Sequence, residues 1–208
     1  AITVAASFPI GIATAKRAGG KLDRAITVFN QVCMSIPPVF VGILLCFVFG
    51  ITLRVFVPGR FVTFGEDPGG FLLYMLFPAL AVALSRIAMT VKMLRSSILD
   101  EMEKDYIRTA FSRGWTRVDA LKKHALRNAI IPVIAFLGVT AAELVAGSIV
   151  VEQVFAVPGL GQLLLSSIGS RDFPVAQAVV ILLATWVVVV NFIADVLYQY
   201  MDPRIRIR

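Results

Sequence analysis

Apolar and polar residues follow one another along this chain in long blocks. Five apolar stretches, at 1–15, 26–50, 71–91, 129–151 and 174–197, are separated by connections that are charged or rich in Gly and Pro. At a rise of about 1.5 Å per residue, about 20 helical residues cross a hydrocarbon core of about 30 Å. The last four stretches reach that length. The first is shorter, and because the chain opens at Ala1 inside an apolar run, a preceding N-terminal span is expected to be missing. The block pattern predicts one all-α integral membrane domain over residues 1–208, with five spans.

One connection has a pattern of its own. From Ser97 the chain reads SILDEMEKDYIRTAF, with Ile98, Met102, Tyr106 and Ala110 spaced by four and Leu99 and Ile107 beside them. Charged residues fill most of the remaining circumference, which predicts an amphipathic helix. Gly114 suits the C-terminal cap of that helix. Thr116 with Asp119 three residues on predicts a capping box opening a second helix, whose apolar face is Val118, Leu121 and Ala125. That helix runs on through HALRNAIIP into the next span, with a kink expected at Pro132. The expected product is a stiff hairpin over 97–128 with Trp115 exposed at its apex. A solvated loop needs neither two caps nor two apolar faces, and an exposed aromatic residue suits another protein's pocket.

Composition agrees with the block pattern: 58% of residues are hydrophobic and 16% charged, outside the range of a soluble domain. The net charge of +7 would suit a polyanion ligand, but its distribution excludes one. Sixteen of the twenty basic residues sit on three alternate connections: KRAGGKLDR, the stretch 92–127, and the tail with Arg204, Arg206 and Arg208. Basic residues gather on the cytoplasmic side of short loops, so residues 16–25, 92–128 and 198–208 are expected inside. Nucleic-acid patches do not alternate with spans. The other two connections are VPGRFVTFGEDPGG, with its Pro-Gly and Asp-Pro-Gly-Gly turns, and the unusually apolar loop at 152–173. Cys33 and Cys46 fit no metal or redox spacing and read as inert buried thiols.

At the hairpin the sequence resembles a known family. RTAFSRG (108–114) is similar to the EAA motif of ATP-binding-cassette importer permeases. The longer DYIRTAFSRGW followed by HALRNAIIP resembles the dipeptide/oligopeptide/nickel permease family. SIPPVFVGILL (35–45), VEQVFAVPGLGQLLLSSIGSRDFPV (151–175) and YMDPRIR (200–206) occur in the same order, the second in the version carried by the first, B-type, of two paired permeases. Arg108 departs from the motif, which has Glu there. The resemblance implies a type I importer transmembrane domain in the bacterial cytoplasmic (inner) membrane. It implies a homologous second permease, two ATPase subunits that hold ATP and Mg, and an extracytoplasmic solute-binding protein. The chain itself would bind no cofactor and catalyse nothing; it has no glycine-rich Lys-Ser/Thr phosphate loop. The hairpin would be the coupling helix pair. Tyr106, Thr109, Ala110, Gly114, Trp115, Asp119, His124 and Asn128 would form the ATPase contact. The cargo could be a dipeptide, a longer peptide, a glutathione-like peptide or a nickel chelate.

The remaining polar residues carry weaker signals. His124 is the only histidine, which excludes a multi-ligand imidazole metal site. Arg86, Glu143 and Asp195 lie within spans, where ionisable groups are functional suspects. Counted from the nearest inner-face charge, Arg86 lies about 13 Å deep, Asp195 about 10 Å and Glu143 about 24 Å. Arg86 and Asp195 are depth-matched for an ion pair, with snorkelling to the interface as the alternative. Glu143 either faces the passage or stays protonated and silent. In the outer loop, Glu152, Phe155, Pro158, Gly159, Gly161, Arg171 and Asp172 mark either a binding-protein contact or gate, or a packed loop. A stand-alone secondary transporter or channel is the alternative class. It would need acidic or histidine relays near the midplane, where only Glu143 lies.

Overall fold

The computed structural model describes residues 1–201, without the side chains of 145–147, 198, 200 and 201. Among the described residues every regular element is helical: α1 (Ile2–Lys16), α2 (Lys21–Ser35), α3 (Pro38–Leu45), α4 (Pro68–Met102), α5 (Asp105–Ser112), α6 (Arg117–Ala120), α7 (Leu126–Phe155), α8 (Leu160–Gly169) and α9 (Phe173–Met201). Two wide π turns extend this set, Cys46–Thr52 after α3 and Leu121–Ala125 between α6 and α7. The basic tail at 202–208, expected on the inside, lies outside the described residues.

Among the described residues, three stretches are long and apolar enough to cross a membrane unbroken: Pro68–Met102, Arg117–Leu144 and Phe173–Leu197. The count reaches five only if two broken helix pairs are each taken as one crossing. The stretch 26–50, expected as a single span, breaks between Ser35 and Pro38. The cause is Ile36-Pro37-Pro38. Pro37 is extended (φ −62°, ψ 140°) and Pro38 opens α3 at a position where its missing N–H costs nothing. The connection 152–173, expected on the outer face, holds a helix of its own: α8 turns by 83° from the segment Ser148–Phe155. α1, at 15 residues, is shorter than a span.

The described chain divides into two compact units. The first comprises, among the described residues, 1–35, 86–139 and 191–201. Its core is aliphatic, with Ala15, Leu94, Ile98, Leu121, Ala129 and Val133 all at most 1% exposed. The second comprises 36–85 and 140–190 and has an aromatic core of Phe56, Tyr74, Phe77 and Phe155 with Val41 and Val151. Phe56 stacks on Phe77 at 4.4 Å and meets Tyr74 edge-on at 5.5 Å. The Tyr74 hydroxyl accepts the Gly59 N–H at 3.2 Å and donates to the Phe155 carbonyl, so its polar end is satisfied inside the core.

α4 has 35 residues, about 52 Å at the α-helical rise and well beyond a hydrocarbon core of about 30 Å. It ends at Met102, and Lys104 is extended (φ −70°, ψ 152°) before α5 begins. The continuous amphipathic helix expected across 97–112 is therefore two helices with a break at Glu103-Lys104. α7 passes through Pro132 without ending.

Candidate functional site

The hairpin of α5 and α6 is built from caps outward. α5 closes with a Schellman arrangement: the Gly114 N–H donates to the Phe111 carbonyl at 2.9 Å and the Trp115 N–H to the Ala110 carbonyl at 3.2 Å. Gly114 takes φ +85°, the left-handed conformation this cap demands. α6 opens on Thr116, whose hydroxyl accepts the Asp119 N–H at 3.2 Å and donates to the Asp119 carboxylate at 2.6 Å. Asp119 thus answers Thr116 by way of its hydroxyl, where the longer carboxylate of a full capping box would reach the backbone.

Between the two caps lies a small core of Ile107, Ala120 and Ala125, with Met102 and Trp115 packed against it. Trp115 was expected exposed at the apex and is instead half-buried. His124 meets its ring edge-on at 5.1 Å, and the Lys123 ammonium sits 4.5 Å from its centroid. Trp115 and His124 therefore belong to the hairpin's own packing. Ala110 is buried beside Ile107, while Tyr106 is 39% exposed and Thr109 is also exposed. Val118, expected on the buried face with Leu121 and Ala125, is 44% exposed, and Phe111 is 41% exposed. The accessible apolar side chains of the hairpin are thus Tyr106, Phe111 and Val118. Phe111 was not singled out from the sequence, although its place one residue past buried Ala110 turns it off the packed face.

A polar clamp ties the hairpin to its neighbours. Tyr106 donates to Glu101 at the end of α4 at 2.5 Å and accepts from Asn128 at the start of α7 at 3.1 Å. Burial pushes the Tyr106 hydroxyl up, and the adjacent Glu101 adds to the shift. Lys104 also donates to Glu101. The Arg108–Asp105 contact is 3.4 Å long, with side chains 76% and 96% exposed, and holds little.

In the connection between α7 and α9, Glu152 acts as a cap. Its carboxylate accepts the Gly161 N–H at 2.9 Å, the Gln162 N–H at 3.2 Å and the Ser148 hydroxyl at 2.9 Å, at the positive end of α8. Gly161 is needed here, because a Cβ would come within 2.7 Å of the Ile149 backbone. Phe155 is fully buried in the aromatic core. Pro158, Gly159, Leu160, Gln162, Leu163 and Ser166 line an open groove of about 550 Å³. Asp172 caps α9 through the Val175 N–H at 3.3 Å, and Arg171 is exposed with φ +59°. Of the residues within spans, Arg86 is half-buried on α4, Glu143 exposed on α7 and Asp195 exposed on α9. Among the described residues no group of three His, Cys, Asp or Glu could hold a metal ion.

Residues 7–207 match the family described as "Binding-protein-dependent transport system inner membrane component". The oligopeptide transport system permease protein AppB of Bacillus subtilis (strain 168) is 39% identical over 201 residues, covering 96% of this chain and 64% of its own length. A putative peptide transport system permease protein of Brucella abortus (strain 2308) is 36% identical over 206 residues, with 99% and 66% covered. The dipeptide transport system permease protein DppB of Escherichia coli (strain K12) is 43% identical over 145 residues, 68% of this chain and 42% of its own length. The chain spans 64–66% of the length of the first two relatives. The chain, helical in every regular element among its described residues and matched from residue 7 to residue 207, belongs to the family of binding-protein-dependent transport system inner membrane components.

Proposed function

We propose that this chain is the membrane-spanning subunit of an ATP-driven importer for peptides or a related small solute, such as a glutathione-like peptide or a nickel chelate. It would pair with a homologous second permease to enclose the passage. One of two ATPase subunits would bind the α5–α6 hairpin, and an extracytoplasmic binding protein would deliver the solute at the other face. ATP and Mg would be held by the ATPases, and this chain would carry out no chemistry.

The observation that carries the reading is the construction of the hairpin. A connection that serves only to place positive charge inside needs no Schellman cap, no N-cap and no core of its own. This one has all three, and it leaves Tyr106, Phe111 and Val118 accessible. It also runs through Leu121–Ala125 into α7 without a loop, so a push on the hairpin reaches a membrane helix directly. The names of the relatives, oligopeptide and dipeptide permeases, support a peptide cargo. On this reading, Arg108 where the motif has Glu leaves the contact intact, since the side chain is 76% exposed and removed from the hairpin core.

The test is an affinity pull-down of the tagged full-length protein from native membranes, beside the double variant Phe111→Asp/Val118→Asp. Both positions are exposed, so the variant keeps its packing. The expected result is that the wild type brings down a second permease and ATPases, and the variant keeps the permease and loses the ATPases. ATPase recovery unchanged in the variant would reject the hairpin as the docking element.

A further inference from the structure

The α1–α2 turn carries a partly buried ion pair that the hairpin does not use. Asp23, in the first turn of α2, is 4% exposed at its side chain. One oxygen accepts from Arg95 Nε at 2.6 Å and the other from an Arg95 terminal nitrogen at 2.8 Å. The second oxygen also accepts the Gly19 N–H at 2.8 Å. The Arg95 guanidinium beside it, helped by the Gly19 amide, holds the Asp23 carboxyl below its ordinary range. Asp23 and Arg95 are 72 residues apart in sequence, so the pair is a tertiary tie and no by-product of one helix.

Its position gives it meaning. Arg95 lies between Leu94 and Ile98, whose side chains pack with Leu121 at the foot of the hairpin and with Ala129 and Val133 of α7. α1 meets α4 through apolar contacts, with Ala15 in the same cluster and Gly11 close against Leu94. Apolar faces of packed helices slide past one another at small cost, which is how shear motions occur. A bidentate guanidinium–carboxylate fork does not slide, because both bonds fail together when the register shifts.

We infer that Asp23 and Arg95 are a positioning pair that makes the α1–α2 turn move in register with α4 and the hairpin, so that hairpin displacement reaches α1 and α2 without slippage. This rests on the importer reading, and it assigns to two residues outside the hairpin a share in coupling. Removing one partner leaves the ATPase dock intact and lets the force leak away at the α1–α2 turn.

The experiment uses the full chain in the complete transporter, with its second permease, ATPases and binding protein in proteoliposomes, and measures subunit content, ATP hydrolysis and peptide uptake per ATP. Asp23→Asn, and Asp23→Asn combined with Arg95→Met, which together leave no unpaired buried charge, are expected to assemble and to hydrolyse ATP at the wild-type rate, with most of the uptake per ATP lost. Arg95→Lys, which keeps the charge and loses the fork, is expected to fall between. A Cys33→Ser/Cys46→Ser background carrying Asp23→Cys and Arg95→Cys is expected to be uncoupled until a short bis-maleimide joins the two thiols, and then to recover. The inference is overturned if uptake per ATP is unchanged in the Asp23→Asn variants, if it falls only together with assembly, or if the covalent tether restores nothing. A wild-type chain that assembles with no ATPase overturns the importer reading itself, and that result is visible before any variant is made.

Discussion

Substitution at Gly114 separates backbone strain from crowding. The residue has φ +85°, and a Cβ built there meets nothing within 4 Å. Side-chain size is therefore irrelevant, and the cost of any substitution is its reluctance to enter the left-handed region. For Ala that reluctance is about 1–2 kcal/mol, partly offset by the lower entropy of the unfolded chain, leaving a net of about 1 kcal/mol. Val, branched at Cβ, costs about 2 kcal/mol. Asn, which tolerates this conformation, costs only a few tenths. The Gly114 and Trp115 N–H bonds survive in all three variants because no donor is removed. The opening equilibrium of the hairpin should rise about fivefold for Ala and about thirtyfold for Val, with little change for Asn. Hydrogen exchange of a peptide covering 105–120, in detergent or nanodiscs and corrected for intrinsic rates, reads this directly. The order Asn, Ala, Val from mild to severe is expected. Asn, larger than Ala, proving the worse of the two would refute the backbone account. So would three indistinguishable variants.

Further outcomes follow from other parts of the structure. Ile98→Ala empties a fully buried position in the aliphatic core and should cost about 2–5 kcal/mol, lowering the temperature at which the solubilised protein aggregates. The Val118→Ala control, at a residue 44% exposed, should leave that temperature almost unchanged. Asp23 lies before the apolar stretch 26–50 with its pKa below the ordinary 3.8, so its contribution is fully present above that value and is lost as pH falls through the lower folded value. A thermal-stability profile against pH should show this acid loss in the wild type and a flatter limb in Asp23→Asn. Glu152→Ala removes the acceptor for the Gly161 and Gln162 N–H groups, and faster exchange confined to α8 is expected. Protection of α8 equal to the wild type would show that water replaces the carboxylate at no cost.

The sequence made the membrane class and the two hairpin caps readable, because each rests on local residue types. Length of apolar run survives any packing, and Gly114 and Thr116 act within four residues of themselves. The misses have local or distant causes. The break at 35–38 is written in Ile36-Pro37-Pro38, but the continuous hydropathy over 26–50 masks it. The break at Glu103-Lys104 has no glycine or proline to announce it, and an unbroken spacing of four from Ile98 to Ala110 ran across it. Trp115 was read as exposed because its partners, Lys123 and His124, come from the far side of the turn. Glu152 finds its partners nine and ten residues away, and Asp23 finds Arg95 72 residues away. Such pairings depend on the tertiary fold and leave no periodic trace.

The wide turn at Leu121–Ala125 has a geometric consequence. Leu121, Ala125, Ala129 and Val133 are spaced by four and are all at most 1% exposed. On an α-helix of 3.6 residues per turn, each step of four overshoots by about 40°, so Val133 would stand about 120° round the axis from Leu121. Such an offset would carry one end of the row off the packed side. A turn closed by bonds five residues apart winds more slowly and returns part of the overshoot. The wide turn thus works as a vernier, keeping the foot of the hairpin and the helix that enters the membrane in phase. Deleting one residue between 121 and 125 would let that turn revert to ordinary α-helix, and the row would drift off its shared side. The length of this segment, as much as its composition, is therefore under constraint.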